Sequence, residues 1–511
     1  MLARVLSSSL IGIDPYLVEV EVNVEGHAFH YNTVGLPELA VRESKERVIS
    51  AIKNSGFIFP PKAYTINLAP ADIKKEGSAF DLPIAIGILA ALGAIVHEQL
   101  EDYALLGELS LDGSLRPIKG ALPSAVGVHE HQLKGLILPA QNAREAAVTG
   151  DVDVIPVASL LDAILFLNGE KHIEPLEVDA ELLFSKSQNY PVDIGDVRGQ
   201  AHVKRALEVA AAGGHNVLMI GPPGSGKTML AKRFPTILPQ MTLEEALETT
   251  KIHSIAGMVR TEGLVATRPF RSPHHTISDA ALVGGGRIPR PGEVSLAHHG
   301  VLFLDELPEF QKNVLEVMRQ PLENSEVTIS RASMSLTYPA NFILLSAMNP
   351  CPCGYSSDPR HECSCSNMSI QKYMAKISGP LLDRIDLHIE VPAIPFEELS
   401  AKQDGESSAV VRQRVQSARN IQIERFQNEP EIHSNADMPP KMIRNICHID
   451  SISADLLKTA ITNLGLSARA YDRILKVSRT IADLAGSRHI LAEHLSEAIQ
   501  YRSLDRQLWM V

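Results

Sequence analysis

The segment GPPGSGKT, residues 221–228, has the residue types and the spacing of a phosphate-binding loop, with an apolar stretch before it and a helix-forming stretch after it. Glycines allow backbone N–H groups to close around phosphate oxygens, Lys227 would reach the β and γ phosphates, and Thr228 would bind Mg²⁺. The alternative is a chance match, which the flanking strand and helix patterns disfavour. ATP and Mg²⁺ are therefore the predicted ligands of Gly221, Pro222, Pro223, Gly224, Ser225, Gly226, Lys227 and Thr228.

Two further apolar runs end in polar residues that would complete such a site. GVLFLDEL places Asp305 and Glu306 at a strand end, where Asp305 would hold Mg²⁺ through water and Glu306 would polarise the attacking water. FILLSAMNP ends in Asn349, which would orient that water beside the γ phosphate. The alternatives are that Asp305 and Glu306 are ordinary surface acids and that Asn349 only forms a turn before Pro350. The phosphate-binding loop upstream favours the functional interpretation of both patterns.

Four of the five cysteines lie within CPCGYSSDPRHECSC, residues 351–365. Cys351, Cys353, Cys363 and Cys365 form two CxC pairs, and four converging thiolates would close a tetrahedral, structural Zn²⁺ site. His361 could replace one of them. A redox pair and plain loop cysteines are the alternatives, because CxC can form a strained disulfide.

The elements around these residues predict a multidomain α/β protein. Alternating residues such as LVEVEVNVE favour an N-terminal α+β domain over residues 1–169, followed by a charged linker over 170–189. Apolar strands alternating with helices favour a parallel sheet covered on both faces over 190–395, and the rest, 396–511, is helical.

Composition limits the class of protein. The net charge of −12 excludes a uniformly basic coat for nucleic acid, yet residues 251–293 carry six Lys or Arg against three acids. We expect Arg287 and Arg290, in the glycine-rich stretch LVGGGRIPRPGE, to meet phosphates of a polyanion; ordinary solvated surface is the alternative. The longest uncharged run, residues 82–96, is shorter than the roughly 18–20 residues of a membrane span, so a buried helix, no membrane partner and a cytoplasmic location are expected.

The order of these motifs resembles an AAA+ ATPase of the magnesium-chelatase-like branch, and the whole chain resembles the ComM/YifB family. TVGLPELAVRESKERV, FRSPHHTISDAALVGGG and ISGPLLDRIDLHIEV are the most specific segments. The resemblance implies a ring, normally a homohexamer, with Arg384 as a finger toward a neighbour's γ phosphate and Arg469 as a sensor in a helical lid; Arg473 is the alternative sensor. It also implies that the basic insertion faces the pore beside a hairpin, EVTISRASMSLTYPA, that carries Arg331.

The N-terminal domain resembles the proteolytic domain of Lon-type proteases without its nucleophile. The positions that match the catalytic Ser and Lys hold Ala79 and Leu122, which excludes acyl-enzyme chemistry there. Only a shifted register could make Ser78 and Lys119 a dyad. We therefore expect an inactive fold that is retained for docking or ring support.

The family resemblance implies an ATP-driven motor on branched or single-stranded DNA, namely a branch-migration helicase of recombination and natural transformation that works with recombination proteins. The few aromatic side chains of the basic insertion favour a motor that follows the backbone over a sequence reader. The alternative is a remodelling ATPase that acts on protein or assists metal insertion. An ATP-dependent protease is opposed by Ala79 and Leu122.

Overall fold

The computed structural model describes residues 1–75, 77–95, 99–186, 190–259, 262–286, 289–331, 334–356, 358, 360–394, 405–429 and 432–505. The strands are β1 Leu2–Ile11, β2 Asp14–Glu25, β3 His30–Val34, β4 Ala63–Ala69, β5 Tyr103–Leu105, β6 Glu108–Leu109, β7 Leu115–Arg116, β8 Gly135–Pro139, β9 Asp153–Val157, β10 Val217–Ile220, β11 Phe270–Arg271, β12 Gly284–Gly285, β13 Arg290–Pro291, β14 Val301–Leu304, β15 Glu326–Arg331, β16 Met334–Pro339, β17 Ile343–Met348 and β18 Leu387–Glu390.

The helices follow the same chain order. They are α1 Leu39–Asn54, α2 Asp81–Ala91, α3 Ala121–Glu130, α4 Ala143–Ala147, α5 Leu160–Leu167, α6 Ala180–Lys186, α7 Ala201–Gly213, α8 Lys227–Arg233, α9 Leu243–Ala256, α10 Asp279–Val283, α11 Glu293–Leu296, α12 Lys312–Val317, α13 Arg319–Asn324, α14 Asn367–Met374, α15 Gly379–Leu382, α16 Ser408–Phe426, α17 Pro440–Ile446, α18 Ser451–Leu464, α19 Ala468–Leu484 and α20 Ala492–Gln500. Within the described ranges, no helix is both long enough and apolar enough to cross a membrane.

The chain divides into two compact units. Unit 1 comprises Met1–Gln188 and Thr242–Ala266, and unit 2 comprises Asn189–Met241 and Thr267–Val511. The predicted domain bounds at 169/170 and 189/190 stay a prediction, and the one at 395/396 lies outside the described residues. Residues 242–266, which the sequence assigns to the central domain, fold with unit 1.

Unit 1 is built on a mixed sheet whose strand order, among the described residues, is β3-β4-β2-β1-β5-β8-β9. β2 alternates as its sequence predicts, with Val18, Val20, Val22 and Val24 buried. Every residue of α2 is buried, as expected of a helix that is apolar on all sides, and it packs on β1 and β2. The uncharged run beginning at Leu82 therefore starts in a core helix.

Helix α9 joins unit 1 through contacts at its C-terminal end. The backbone N–H of Gly120 donates to the Ser254 carbonyl at 3.2 Å, and the Ser254 hydroxyl bonds to the buried Glu145 carboxylate. Glu145 also accepts from the backbone N–H of Leu122 at 3.2 Å, and burial raises its pKa. A segment from the middle of the ATPase-like sequence is thus held at the start of α3.

Unit 2 contains a parallel sheet with the strand order β11-β14-β17-β10-β18 within the described part of the chain. The strands β10 and β14 are buried along their whole length, as their apolar runs predict for the centre of a covered parallel sheet. β17 lies between them. Helices α7, α16 and α19 pack against one another on this core. The carboxyl ends of β10, β14 and β17 therefore meet at one edge.

Candidate nucleotide site

The phosphate-binding loop links β10 to α8, and three glycines make its path possible. Gly224 and Gly226 have φ angles of 75° and 89°, in the left-handed region that favours glycine. A Cβ at Gly221 would lie 2.1 Å from the Val391 carbonyl oxygen. The close approach of the loop to the chain after β18 therefore requires glycine at this position.

Lys227 is buried against the loop that precedes it. Its Nζ donates to the carbonyl oxygens of Gly221 at 2.6 Å and Pro222 at 2.9 Å. Burial lowers the pKa of the ammonium group to about 8. The third partner, at 3.3 Å, is Oδ1 of Asn349, which follows β17. The strand order thus brings Asn349 beside Lys227.

Thr228 and Asp305 form a set of oxygen ligands at the same edge. The Thr228 hydroxyl donates to Asp305 Oδ2 at 2.7 Å, and Asp305 Oδ1 accepts from the backbone N–H of Glu306 at 3.0 Å. A hydroxyl and a carboxylate in contact are the hard donors that Mg²⁺ prefers. This pair therefore fits the magnesium ion that the sequence predicts.

Glu306 directly follows Asp305 and takes an unusual backbone conformation. Its φ is 55°, which is rare for a residue with a side chain, and its side chain is 57 % exposed. The His275 Nδ1 atom lies 3.2 Å from Glu306 Oε2. Nothing in the sequence indicates this contact, because 30 residues lie between the two positions and no periodic pattern joins them.

A cavity of about 1020 Å³ opens beside the phosphate loop in unit 2. Gln200 connects the two, since its Nε2 donates to the Ser225 carbonyl at 2.8 Å and to the Pro392 carbonyl at 3.1 Å. Its Oε1 is buried and has no hydrogen-bond partner among the described residues. Gln200 is not among the residues predicted from the sequence, because a single Gln before a helix carries no recognisable signal. The cavity is also lined by Ile194, Arg198, His202, Ile237, Ala393 and Val411, among others.

The four predicted metal-binding thiols converge. The sulfur atoms of Cys351, Cys353, Cys363 and Cys365 all lie within 4.8 Å of one another. The backbone N–H of Tyr355, aided by the Cys351 thiol, lowers the pKa of the Cys353 thiol to about 6, whereas the pKa values of Cys363 and Cys365 are raised, so Cys353 is the member of the cluster that most readily forms the thiolate that binds metals. His361 instead pairs with Asp358 at 3.1 Å and stacks on the Tyr355 ring. Four thiols without an imidazole form the cluster.

This cysteine cluster is joined to the phosphate loop through Gly354. Its φ is 91°, and a Cβ there would lie 2.6 Å from Cδ of Pro223 and 3.8 Å from Cγ of Asn349. Cys353, the neighbouring residue, donates its backbone N–H to the Cys365 sulfur at 3.4 Å. The turn that carries the first cysteine pair therefore rests on Pro223.

Arg384 is less accessible than a finger residue is expected to be. It is only 5 % exposed and forms an ion pair with Glu323 of α13. Burial, together with three neighbouring guanidinium groups, lowers its pKa; these belong to Arg319, Arg469 and Arg473. The acids next to it in the chain, Asp383 and Asp386, pair with Arg469 and Arg473.

The two proposed sensor arginines occupy different environments. Arg469 is 63 % exposed, 3.5 Å from Asp383. Arg473 pairs with the buried carboxylate of Asp386. Burial alone would raise the pKa of this carboxylate, but Arg473 and His215 hold it well below its usual range. Arg469 can move with a ligand at little cost, whereas Arg473 is tied into the core. The roles predicted for Arg384 and Arg469 stay predictions.

Two of the basic residues in the predicted polyanion lining serve the fold instead. Arg268 donates to the carbonyl oxygens of Pro239, Gln240 and His299, and Arg271 forms a two-point ion pair with Glu293 at 2.6 and 2.8 Å. The local charge excess therefore overstates the basic surface, because spacing cannot tell an anchored guanidinium from a free one. Arg260 and Arg287 lie outside the described residues.

The exposed Arg290 and Arg331 belong to two neighbouring ribbons. β12 and β13 form one, and β15 and β16 form the antiparallel hairpin that the sequence suggests. Tyr338 of the hairpin donates to the Pro289 carbonyl at 2.8 Å, and the Arg331 Nε lies 3.4 Å from the Gly286 carbonyl. The two ribbons therefore lie side by side.

The protease-like positions of unit 1 are filled by apolar packing. Leu122 is fully buried, and Ala79 packs against the cluster that contains Ala121 and Ala125. Ser78 bonds to Glu108 rather than to Lys119, whose side chain lies along Gly257. The shifted Ser78 and Lys119 dyad is therefore not formed.

Three family models match most of the chain. They are described as magnesium chelatase, subunit ChlI, over residues 193–399; subunit ChlI of Mg-chelatase, over 20–142; and magnesium chelatase, subunit ChlI C-terminal, over 405–502. The central match spans the phosphate loop, the Asp305 and Glu306 pair, the cysteine cluster and Arg384. The parallel-sheet and helical regions thus correspond to one known family architecture.

Individual relatives match nearly end to end. The chain is 46 % identical over 510 residues to competence protein ComM of Haemophilus influenzae. This match covers 99 % of the present chain and 98 % of the relative. It is 44 % identical over 509 residues to the uncharacterized protein YifB of Escherichia coli, with 99 % and 98 % covered. The magnesium-chelatase 67 kDa subunit of Chlorobaculum parvum is 29 % identical over 161 residues, 30 % of this chain and 23 % of that protein.

Proposed function

Because the chain belongs to the ComM/YifB family of magnesium-chelatase-like AAA+ ATPases, we propose that it is an ATP-driven ring motor that acts on DNA, with branch migration of recombination intermediates as its activity. One observation carries the ATPase part: at one edge of the parallel sheet, Lys227 contacts Asn349 and the adjacent Thr228 contacts Asp305. Natural transformation, recombination proteins as partners and a cytoplasmic location belong to the same proposal.

Each residue of this edge has a task in hydrolysis. The loop and Lys227 would bind the β and γ phosphates, while Thr228 and Asp305 would hold Mg²⁺, which would supply positive charge to neutralise the phosphates. Glu306 takes the proton of the attacking water, and Asn349 orients that water. Gln200 lies where the cavity meets the loop, so we propose that the nucleoside of ATP occupies this cavity and that Gln200 Oε1 accepts a hydrogen bond from it.

The DNA part of the proposal rests on the paired ribbons. Arg290 and Arg331 are exposed on neighbouring ribbons, and Arg287 lies in the same segment outside the described residues. Exposed guanidinium groups bind phosphates without reading bases, as a motor that follows the backbone requires. Arg268 and Arg271 stabilise the fold of this segment through bonds within the chain, and we do not expect them to contact DNA phosphates.

Assembly into a homohexamer explains the arginine cluster. Arg319, Arg384, Arg469 and Arg473 are close enough for the other three to lower the pKa of Arg384. Each of these guanidinium groups has a carboxylate partner within the chain, and the γ phosphate of an ATP molecule on a neighbouring subunit would compete with that of Arg384. Arg384 would then exchange Glu323 for the phosphate on assembly.

A second candidate is a remodelling ATPase that acts on protein or assists metal insertion. The observation in its favour is that all three family models are described by a magnesium-chelatase subunit. DNA dependence of the ATPase separates the two candidates, because a remodelling enzyme has no reason to respond to nucleic acid.

The test is the ATPase rate of the full chain with branched, single-stranded and duplex DNA and without DNA. We expect stimulation by branched or single-stranded DNA, strand displacement, and no activity in Lys227→Ala. Arg290→Ala combined with Arg331→Ala should lose the stimulation while basal hydrolysis continues. Arg116→Ala, which removes an exposed arginine of unit 1, is the matched control. No response to any DNA, with no strand displacement, would refute the DNA motor.

We also propose that the cysteine cluster binds one structural Zn²⁺. Four thiols within 4.8 Å of one another fit its tetrahedral Cys₄ coordination, which leaves no position for substrate. Purified protein should contain about one zinc per chain, and Cys363→Ser should lower that content. Cys447→Ser is the matched control, because Cys447 is a buried free cysteine outside the cluster. Metal-free protein with full activity would contradict the assignment.

A further inference from the structure

His275 reaches the ATPase site through the pairing of two strands. β11 runs parallel to β14, with Phe270 opposite Val301 and Arg271 opposite Leu302. The chains that leave these strands therefore emerge at the same edge of the sheet. The ion pair between Arg271 and Glu293 anchors the start of the segment that follows. This places His275, four residues after β11, beside the end of β14.

The backbone of Glu306 is held firmly, but its carboxylate is not. The backbone N–H bonds to Asp305, and the carbonyl accepts from the N–H of Glu309 at 2.8 Å. The side chain extends into solvent, and among the described residues the His275 imidazole is in ion-pair contact with its carboxylate, with Nδ1 3.2 Å from Oε2. His275 therefore limits which positions this carboxylate adopts.

The imidazole is itself held in place by ring packing. The His274 ring lies 4.1 Å from it, centroid to centroid, and the Phe310 ring meets it edge-on at 6.4 Å. The Nδ1 atom of His274 is hydrogen-bonded to the Thr276 hydroxyl at 2.9 Å. Two adjacent histidines thus have separate partners, and only His275 faces Glu306.

We propose that His275 is a positioning residue for ATP hydrolysis, whose Nδ1–H holds the Glu306 carboxylate in the orientation from which it takes the proton of the attacking water. The inference rests on the proposed ATPase function and adds a residue to it. A general base acts only within hydrogen-bond reach of the proton that it abstracts. A carboxylate on a freely rotating side chain occupies that position for only part of the time, so a fixed partner raises kcat without altering nucleotide binding.

The test compares steady-state ATPase kinetics of the full-length protein and its variants. His275→Ala should lower kcat by roughly 10- to 100-fold, the range for a misplaced catalytic group, with KM for ATP unchanged. His275→Asn should recover most of this loss, because the Asn amide nitrogen takes the place of Nδ1. His129→Ala, which removes an exposed histidine of unit 1, is the control and should keep wild-type kcat.

A double-mutant cycle separates positioning from general destabilisation. In a Glu306→Gln background, His275→Ala should leave the residual rate unchanged, because the group that it positions is already gone. Equal losses in both backgrounds would overturn the inference. So would an unchanged or increased kcat in His275→Ala, or a His275→Asn variant no more active than His275→Ala. If the wild-type chain hydrolyses no ATP, the proposed function fails, and this inference fails with it.

Discussion

The chemistry of the nucleotide site depends on one buried cation. Lys227 donates to two loop carbonyl oxygens, Gly221 and Pro222, and contacts Asn349. Carbonyl dipoles stabilise an ammonium group less completely than water does, and burial accordingly lowers its pKa from 10.5 to about 8. The phosphates of ATP would supply full negative charge at the same place and restore the protonated form.

We therefore expect ATP affinity to depend on pH above neutrality. Below pH 8 Lys227 carries its charge, and as the pH rises through about 8 the free protein loses the proton that binding requires. Between pH 7 and pH 9 the affinity should fall about tenfold, one factor of ten for each pH unit above the lowered pKa. Equilibrium nucleotide binding at both pH values measures it.

Lys227→Ala is the control for this dependence. It should bind ATP weakly and show a flat profile between pH 7 and pH 9. Wild-type affinity that is equally flat would contradict the lowered pKa of Lys227.

At the scale of elements, the turn after β17 connects the cysteine cluster to the phosphate loop. Gly354 rests on Pro223, and Cys353 bonds to Cys365 through its backbone N–H. A turn of this kind would be loosely held without a cross-link among the thiols. With the proposed zinc bound, the cluster would stabilise the surface on which the loop lies.

Gly354→Ala should raise the KM for ATP, whereas its loss of unfolding free energy should be similar to that of a control substitution at another glycine with a positive φ. The added Cβ would lie 2.6 Å from Pro223 Cδ, so the loop must shift. Gly465→Ala is the matched control, because Gly465 also has a positive φ, 65°, but no neighbour within 4 Å. Both variants should lose about 1–2 kcal/mol of unfolding free energy from the left-handed backbone.

Thermal unfolding and the KM for ATP distinguish these effects. Only Gly354→Ala should raise KM. An equal KM in the two variants would show that the turn does not influence the loop.

At the scale of the whole molecule, the proposed ring would divide the ATPase site between two neighbouring subunits. Lys227 and Glu306 belong to the nucleotide edge, whereas Arg384 lies in an arginine cluster and pairs with Glu323. A cation supplied by a neighbouring subunit makes hydrolysis depend on assembly. At the protease-like positions of unit 1 we expect no acyl-transfer chemistry, since Leu122 is buried and the half-buried Ala79 packs against an apolar cluster.

Mixed assemblies test this division. Arg384→Ala and Lys227→Ala should each abolish ATPase activity, on the order of 10³-fold for the arginine. Co-expressed together, they should regain part of it, because some interfaces combine an intact Lys227 with an intact Arg384. The control pair, Lys227→Ala with Glu306→Gln, should regain none if both defects lie on the same side of the interface. Recovery in both pairs, or in neither despite ring formation, would contradict the finger role.

The sequence by itself determined the family, the α/β fold class and the set of residues at the nucleotide edge. Its phosphate loop, the Asp305 and Glu306 pair and Asn349 lie in short contiguous patterns, and buried parallel strands show as apolar runs. The spacing of the cysteines likewise predicted that the four thiols would converge. A sequence pattern is enough to predict such features, because residues close together in the chain form them.

Only the tertiary structure decided which side chains face one another. It tied Arg268 and Arg271 to the fold, buried Arg384 against Glu323, and brought His275 to Glu306. It also joined residues 242–266 to unit 1. These contacts join residues distant along the chain, and the charge or polarity of a residue does not record which partner folding will give it.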